Sequence, residues 1–426
     1  MKDIAISLIG FSYEKIFHEK MGNDAKGFLK NLSYIVIASG IAAILSTSFN
    51  IFAGRVLGPS EYGEFTLIQT IAMFLLVPMM LGIDTAMITY TAEKNKFDSQ
   101  SSIISTTFIL VTIFTLVSVS IYYLFSSQIS KIFSISTDIL YLAVIFAFLS
   151  VISTFATGTL RSLHKMKEYA IFQPLPNLIL LLIFFVFFFS NYISFKSALF
   201  SMYIAFGVTG LLMIYSVKKY LRPNFKLCWA KRLIRYGLYM SLMGLASVFY
   251  ANIDKIIIYK FLTTADIGIY RSYYFSSINF VGLFIGMFIA VFYPLVCKYK
   301  DKKVILNRIN RVILYLVILG LPIIIFFEFI ILKLYGDDYP FDIKLAFLFG
   351  IGGLLTCINS IYSWLINSIG TEGIKVMSIA AIIVGVINLV LNFLLIPMFG
   401  LVGGVIAFNV SYAINTAVLF KLRHIL

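Results

Sequence analysis

Charge is the scarcest feature of this chain. Of its 426 residues, 12% are Asp, Glu, Lys or Arg and 60% are apolar. A soluble domain carries about 25% charged residues. No water-soluble surface can be assembled from this composition, whose mean hydropathy is +0.96. Cysteine is nearly absent: Cys228, Cys297 and Cys357 show no CxxC spacing, which argues against a disulfide framework or a thiolate metal site. His18, His164 and His424 are the only histidines, and they never approach one another in sequence. A Gly-rich loop followed by Lys-Ser/Thr is missing, which argues against ATP hydrolysis. The expectation is a protein without cofactor, metal or catalytic residues, and not an enzyme.

What is present is about twelve long apolar stretches, each near the roughly 20 residues that a membrane helix needs. The first six are read as Ser33–Gly54, Thr66–Ala92, Ser101–Phe125, Ile139–Leu160, Ile171–Ser190 and Ser197–Val217. The next six are Leu238–Ile258, Arg271–Val296, Val312–Leu334, Ile343–Ile366, Lys375–Ile396 and Leu401–Phe420. Lipid offers the backbone no hydrogen-bond partners, so these segments must be helical. Pro78, Pro294 and Pro322 fall inside them and should bend them. The loops left over are too short for an extramembrane catalytic domain.

Basic residues sort between the gaps. Of 34 Lys and Arg, 26 fall in one alternating set of loops and tails and 8 in the other set or the adjoining helix ends. Lys and Arg are retained on the cytoplasmic side, so this distribution predicts a multi-pass protein of the cytoplasmic membrane with both termini inside. The net charge of +15 then fixes topology and touches anionic lipid headgroups. It does not indicate nucleic acid. Cys228 and Cys297 would lie near the reducing cytoplasm. Residues 1–32 form a cytoplasmic tail with no cleavage-site pattern. Ile4, Leu8 and Phe11 can share a face of an interfacial helix, and a disordered tail fits equally well.

The halves repeat. The first outer loop reads Arg55-Val56-Leu57-Gly58-Pro59-Ser60-Glu61-Tyr62-Gly63-Glu64-Phe65. Two hundred and five residues later stands Lys260-Phe261-Leu262-Thr263-Thr264-Ala265-Asp266-Ile267-Gly268-Ile269-Tyr270. Base, leucine, acid, glycine and aromatic recur in register. Leu160-Arg161-Ser162 and Ile366-Asn367-Ser368 pair at nearly the same offset. The prediction is an all-α integral membrane protein of two pseudo-symmetric six-helix bundles, 33–217 and 238–426, joined by a basic cytoplasmic linker, 218–237. Such two-bundle transporters place substrate between the bundles.

Charges inside the spans are the candidate functional groups, since each is costly there. Lys255 and Arg271 are the leading candidates to meet an anionic headgroup; the bland reading is a pair with Asp254 for the first and an interface anchor for the second. Asp254 is expected to orient a base. Neighbours in sequence point apart on a helix, so Arg271 or Arg55 is its expected partner. Asp84 reads either as a coupling carboxyl or as a cap on a helix break beside Gly82 and Thr85. Glu328 has only Ile324 and Leu332 one turn away, so it should be protonated, paired across helices or at the outer interface. Arg55 and Lys260 hold matching repeat positions and read first as loop anchors. Asn50, Asn252, Asn359, Asn388 and Asn392 read as interhelical glue, and the Gly282/Gly286 and Gly400/Gly404 pairs as close-packing sites. Trp229, Tyr236 and Tyr335 read as interface anchors.

Four segments carry a resemblance. They are Gly54 to Gly63; Leu81-Gly82-Ile83-Asp84-Thr85-Ala86; Asn252-Ile253-Asp254-Lys255 with Gly268-Ile269-Tyr270-Arg271; and Asn388 to Asn392 with Ile396-Pro397 and Phe399 to Gly404. Together they resemble polysaccharide transporters of the Wzx type, the O-antigen flippase family. That family belongs to a superfamily with the lipid II flippases and the multidrug and toxin extrusion exporters. The resemblance runs from about Lys30 onward. It implies carriage of a polyprenyl-pyrophosphate-linked oligosaccharide from the cytoplasmic to the outer leaflet, for O-antigen, capsule or exopolysaccharide. It implies partners among membrane lipids and polysaccharide polymerase machinery, and a lipid tail threading near spans one and eight. The alternative is a cation-coupled multidrug exporter of the same superfamily. Twelve spans rather than fourteen, and the lack of an acid in span one, favour the polysaccharide branch.

Overall fold

The structure, a computed structural model, describes the backbone of residues 23–94, 96–222, 224–298, 302–368 and 371–421. Of the tail expected over residues 1–32, residues 1–22, with the face of Ile4, Leu8 and Phe11, lie outside them, and residues 23–32 are the start of the first helix, Asn23–Met80. Among the described residues every regular element is helical.

The first bundle contains α1 (Asn23–Met80), α2 (Ile83–Ala92), α3 (Phe97–Leu124), α4 (Ser126–Phe133), α5 (Thr137–Ser162), α6 (Met166–Phe172), α7 (Leu175–Phe189) and α8 (Phe195–Val217). The second contains α9 (Leu227–Phe261), α10 (Thr264–Tyr274), α11 (Phe280–Lys298), α12 (Lys302–Tyr335), α13 (Ile343–Asn367), α14 (Thr371–Phe399) and α15 (Leu401–Lys421). A π turn, Phe275–Asn279, joins α10 to α11 as one crossing. Among the described residues eleven helical segments are long and apolar enough to cross a membrane. One of them, Ser33–Met80, reverses at Gly58, so about twelve crossings result, and the protein is a multi-pass membrane protein.

The boundaries correct the sequence reading in four places. The loop expected over 55–65 shrinks to Gly58 alone, at φ 71° and ψ 170°, with Pro59 opening the next helix. Glycine tolerates that conformation, and proline suits a first helical turn because its missing N–H has no partner there. Span two is broken: Leu81 (φ 47°) and Gly82 (φ 64°) separate α1 from α2, just beyond Pro78. Span five is interrupted between α6 and α7 at Gln173 and Pro174. Helix α9 starts at Leu227, so it takes in half of the segment expected as linker.

Helix starts at one end of the molecule are capped in the way their sequences allow. Ser136 accepts from Ile139 N–H, Ser194 and Ser197 form a capping box, Thr263 and Asp266 form another, and Asp342 accepts from Lys344 N–H. Each satisfies a backbone donor that lipid could not.

The repeat motif meets itself. A methyl group on Gly63 would strike the Thr264 carbonyl, and one on Gly268 would strike the Pro59 carbonyl. Pro59 and Thr264 are themselves repeat partners, so the contact is self-complementary about the pseudo-two-fold axis, like an isologous interface. Ser60 and Thr264 hydroxyls add a bond of 3.1 Å across it. One apolar core, including Phe49, Tyr62 and Phe65 of α1 with Ile257 of α9 and Tyr270 of α10, runs through this Gly58 end of both bundles.

At the opposite end Gly82 and Gly237 pack backbone to backbone: a methyl group on Gly82 would strike the Gly237 carbonyl, and one on Gly237 the Leu81 carbonyl. Ala230 and Leu233 of α9 join a second core there with Ile83, Met87 and Phe155. The other glycine expectations divide. Among the described residues nothing lies within 4 Å of a methyl at Gly282 or Gly286. Gly400 (φ 60°) instead turns α14 into α15, and the tight approach falls on Gly403 against Leu395.

Candidate functional site

Between the bundles lies a cavity of about 390 Å³. Ala43, Ser46 and Thr47 of α1 form one wall; Arg271, Tyr274, Asn279 and Gly282 form the wall opposite. Thr356 of α13 and Tyr412 of α15 complete it. Spans one and eight therefore flank the space. Among the described residues Arg271 is the sole Lys or Arg lining it. Its guanidinium lies 5.8 Å from the Phe275 ring centre, and its Nε has no hydrogen-bond partner. Tyr62, Tyr335 and Lys255 are within its electrostatic reach. The π turn that begins after Tyr274 widens the helix by one residue in each ring of hydrogen bonds, and such turns gather at functional sites. Here it carries Phe275, Ile278 and Asn279 into the cavity wall.

Lys255 is not in that wall. It is 2% exposed, and its Nζ lies 3.0 Å from Asp254 Oδ1 and 2.9 Å from the Ala251 carbonyl, to which it donates. The ammonium also sits 4.6 Å from the Tyr274 ring centre. Tyr274 thus belongs both to the cavity wall and to the surroundings of Lys255. The expected partners of Asp254, Arg271 and Arg55, are replaced by its own neighbour. The rule that adjacent residues diverge holds for Cβ atoms, but a four-carbon lysine stem is long and flexible enough to curl back. Asp254 Oδ1 also accepts the Lys255 N–H at 2.8 Å.

The remaining candidates scatter. Arg55 is exposed and donates to the Leu334 carbonyl at 3.4 Å, tying α1 to the end of α12. Lys260 is exposed, 5.7 Å from the Phe393 ring centre. Asp84 lies in the first turn of α2, where the cap residue is Gly82. Arg161, Thr85 N–H and its own N–H are its neighbours, a setting that suits an anion at a helix N-terminus. Glu328 is fully buried. It faces the π turn, yet the nearby Ser277 hydroxyl donates to the Tyr273 carbonyl at 2.7 Å, and neither Glu328 oxygen has a hydrogen-bond partner. Among the described residues no base pairs with it. No three His, Cys, Asp or Glu side chains gather among the described residues.

The asparagines bind helices together. Asn359 donates to Thr416 at 3.3 Å and accepts from Asn415 at 3.2 Å. Asn388 donates to Ser411 at 3.4 Å, and Asn392 donates to Asn388 one turn away. Asn50 accepts from the Tyr62 hydroxyl at 2.9 Å. Asn252 bonds only along its own helix, to the Val248 carbonyl.

A tyrosine cluster at the Gly58 end was not legible beforehand. Tyr335, expected as an interface anchor, is 1% exposed. Its hydroxyl lies 3.3 Å from that of Tyr62, its ring covers Gly54, and Tyr339 donates to the Gly54 carbonyl at 2.9 Å. These rings seat the loop after α12 onto the first bundle. The signal in the sequence was Gly54 itself, a small residue where a ring must enter. Nothing local named the ring.

The chain's relatives agree with this architecture. The sequence pattern of the polysaccharide biosynthesis protein family matches residues 28–300. An uncharacterized membrane protein of Methanocaldococcus jannaschii is 23% identical over 421 residues, covering 91% of this chain and 82% of that one. A probable low-salt glycan biosynthesis flippase of Haloferax volcanii, Agl15, is 26% identical over 203 residues, 46% of this chain and 42% of that protein. Among solved structures, an inward-facing multidrug resistance MATE family transporter superposes with a TM-score of 0.71 at 15% identity, covering 92% of this chain and 94% of its own. The lipid II flippase MurJ in an inward closed conformation gives 0.64 at 18% identity, covering 91% and 87%. The family pattern spans more than half of the sequence, and the chain belongs to the polysaccharide biosynthesis protein family.

Proposed function

We propose that this protein is a flippase that moves a polyprenyl-pyrophosphate-linked oligosaccharide from the cytoplasmic to the outer leaflet of the cytoplasmic membrane. The observation that carries this reading is a single guanidinium, Arg271, whose Nε is left without a partner, in a cavity between two bundles. Arg presents a planar fork that matches phosphate oxygens. The rings of Tyr274 and Tyr412 offer apolar faces to sugars, and Ser46, Thr47, Asn279 and Thr356 offer hydroxyl and amide partners. The polyprenyl tail stays in the bilayer and leaves the cavity between spans one and eight. In this reading the Gly58 end faces outward and the Gly82 end faces the cytoplasm, as the basic loops require. Rocking of one bundle on the other separates the Gly63–Gly268 contact and exposes the headgroup outward. Asp254 and Lys255 set the position of Tyr274, and Glu328 takes part in coupling. Polysaccharide polymerase machinery receives the product.

The test is made on lipids. In a deletion strain the complete lipid-linked repeat unit should accumulate on the cytoplasmic leaflet and surface polysaccharide should disappear, both reversed by the intact gene. Normal polysaccharide with altered sensitivity to small cationic drugs would replace this reading with the exporter.

A further inference from the structure

A second cavity, of about 590 Å³, opens at the Gly82 end, away from Arg271. Lys231, Arg232, Arg235, Tyr236 and Tyr239 of α9 line it, facing Tyr90 of α2. The α9 residues are spaced by three and four, so they form one stripe. Arg232 lies 5.2 Å from the Trp229 ring centre, and Tyr90 packs edge-on to Tyr236 at 5.8 Å. The rings hold the stripe in shape. None of the three bases makes an ion pair among the described residues. Three cations with aromatic neighbours and no counter-ion form a site for a compact anion.

The same helix says which kind of anion. Below Arg235 the stripe continues as Tyr239, 68% exposed, and Leu242, 59% exposed. A cationic mouth running straight into an exposed apolar track fits an amphiphile: the phosphate in the mouth, the chains along the track. Free phosphate would use only the mouth. We propose that this stripe is a binding site for the phosphate-bearing headgroup of an anionic lipid. Basic pockets between membrane helices recognise such headgroups. The site bridges the bundles, because Tyr90 belongs to the first and the bases to the second, and it lies beside the Gly82–Gly237 contact. A bound lipid therefore reports and biases the relative position of the bundles at this end. Two lipids share the chemistry, a resident phospholipid and the diphosphate carrier; only the second rests on the flippase reading above.

Cys228 is a built-in reporter, since it is exposed and lines the same cavity. The full chain is purified in detergent. Dioleoylphosphatidylglycerol, farnesyl diphosphate, phosphatidylcholine or inorganic phosphate is then added. Lipid adducts are read by native mass spectrometry, and maleimide alkylation of Cys228 is read by peptide mass. Phosphatidylglycerol should form adducts and slow alkylation several-fold, whereas phosphatidylcholine should not. The variant Lys231→Gln/Arg232→Gln/Arg235→Gln should bind about 100-fold more weakly, at roughly fivefold per base. If it does not purify, Arg232→Gln and Arg235→Gln singly should each show a several-fold loss. Equal phosphatidylglycerol binding by parent and variants overturns the proposal, and so does equal protection of Cys228 by inorganic phosphate. Displacement of phosphatidylglycerol by farnesyl diphosphate at about tenfold lower concentration, a difference near 1.4 kcal/mol, identifies the carrier as occupant; the reverse identifies a resident phospholipid. Binding is measured without transport, so its failure leaves the lipid-linked glycan test of the flippase reading untouched.

Discussion

Lys255 in the first helix of the second bundle has Asn50 as its counterpart in the first bundle, two hundred and five residues earlier, and Arg271 has Thr66. Both pairs occupy matching places in the repeat, but their chemistry differs. Asn50 takes a hydrogen bond from Tyr62, whereas Lys255 is buried against Asp254 and Tyr274. Thr66 is 2% exposed with no partner for its hydroxyl, whereas Arg271 opens into the cavity. The backbone contacts, by contrast, are shared evenly: Gly63 meets Thr264 as Gly268 meets Pro59. The repeat acids are structural in both halves, since Glu61 accepts the Phe195 N–H at 2.7 Å and Asp266 caps α10. Symmetry here is kept at the backbone seam between the bundles and abandoned at the residues in and behind the cavity wall.

That division can be tested from its strongest consequence downward. Arg271→Glu should reduce transport about 100-fold or more at normal protein level, because it replaces a charge-assisted bond, a matter of a few kcal/mol, with repulsion. Thr66→Val should stay within about twofold, since the shape is kept and the Thr66 hydroxyl has no partner to lose among the described residues. Complementation of the deletion strain, scored by lipid-linked glycan, distinguishes them, and equal activity would erase the functional difference between the bundles. Lys255→Met should act on folding instead. It strands Asp254 in the interior at a cost of about 3–5 kcal/mol, and adding Asp254→Asn should recover most of it. A thermal melt in detergent that does not move on Lys255→Met would show that the pair contributes no stability.

Gly63→Ala and Gly268→Ala should each cost about 1–3 kcal/mol, as overpacking does. Because their contacts mirror one another, the two losses should match, and a large disparity would mean that the seam is not symmetric. The smallest effects belong to single polar groups. Asn50→Ala should cost about 1 kcal/mol through its bond to Tyr62. Glu328→Gln should change the melt by less than that, since neither carboxyl oxygen has a partner to lose and the amide matches the acid in shape.

Much of the fold was legible because each span is long, apolar and bounded by sorted charges, and lipid permits only helices there. The capping residues Ser136, Ser194, Thr263 and Asp342 mark helix starts by local chemistry. The site was legible only as a set of suspects. Rarity of charge singled out Lys255, Arg271 and Glu328, but rarity does not say which of them meets solvent, substrate or another side chain. The Asp254–Lys255 pair depends on how one lysine stem folds under Tyr274. The burial of Tyr335, at the end of α12, depends on Gly54 of α1, 281 positions away, a separation that no local pattern reports.

Composition and the alternation of apolar runs with basic loops were enough, without any contact, to make this a multi-pass helical membrane protein with a repeated half, because both follow from transfer of side chains between water and lipid. Tertiary structure alone decided that Arg271 lines the cavity between the bundles, that Lys255 stands behind Tyr274, and that the repeated glycines face each other. Those outcomes rest on packing between segments far apart in the chain, where a small shift of one helix decides whether a side chain is buried, paired or open to a ligand.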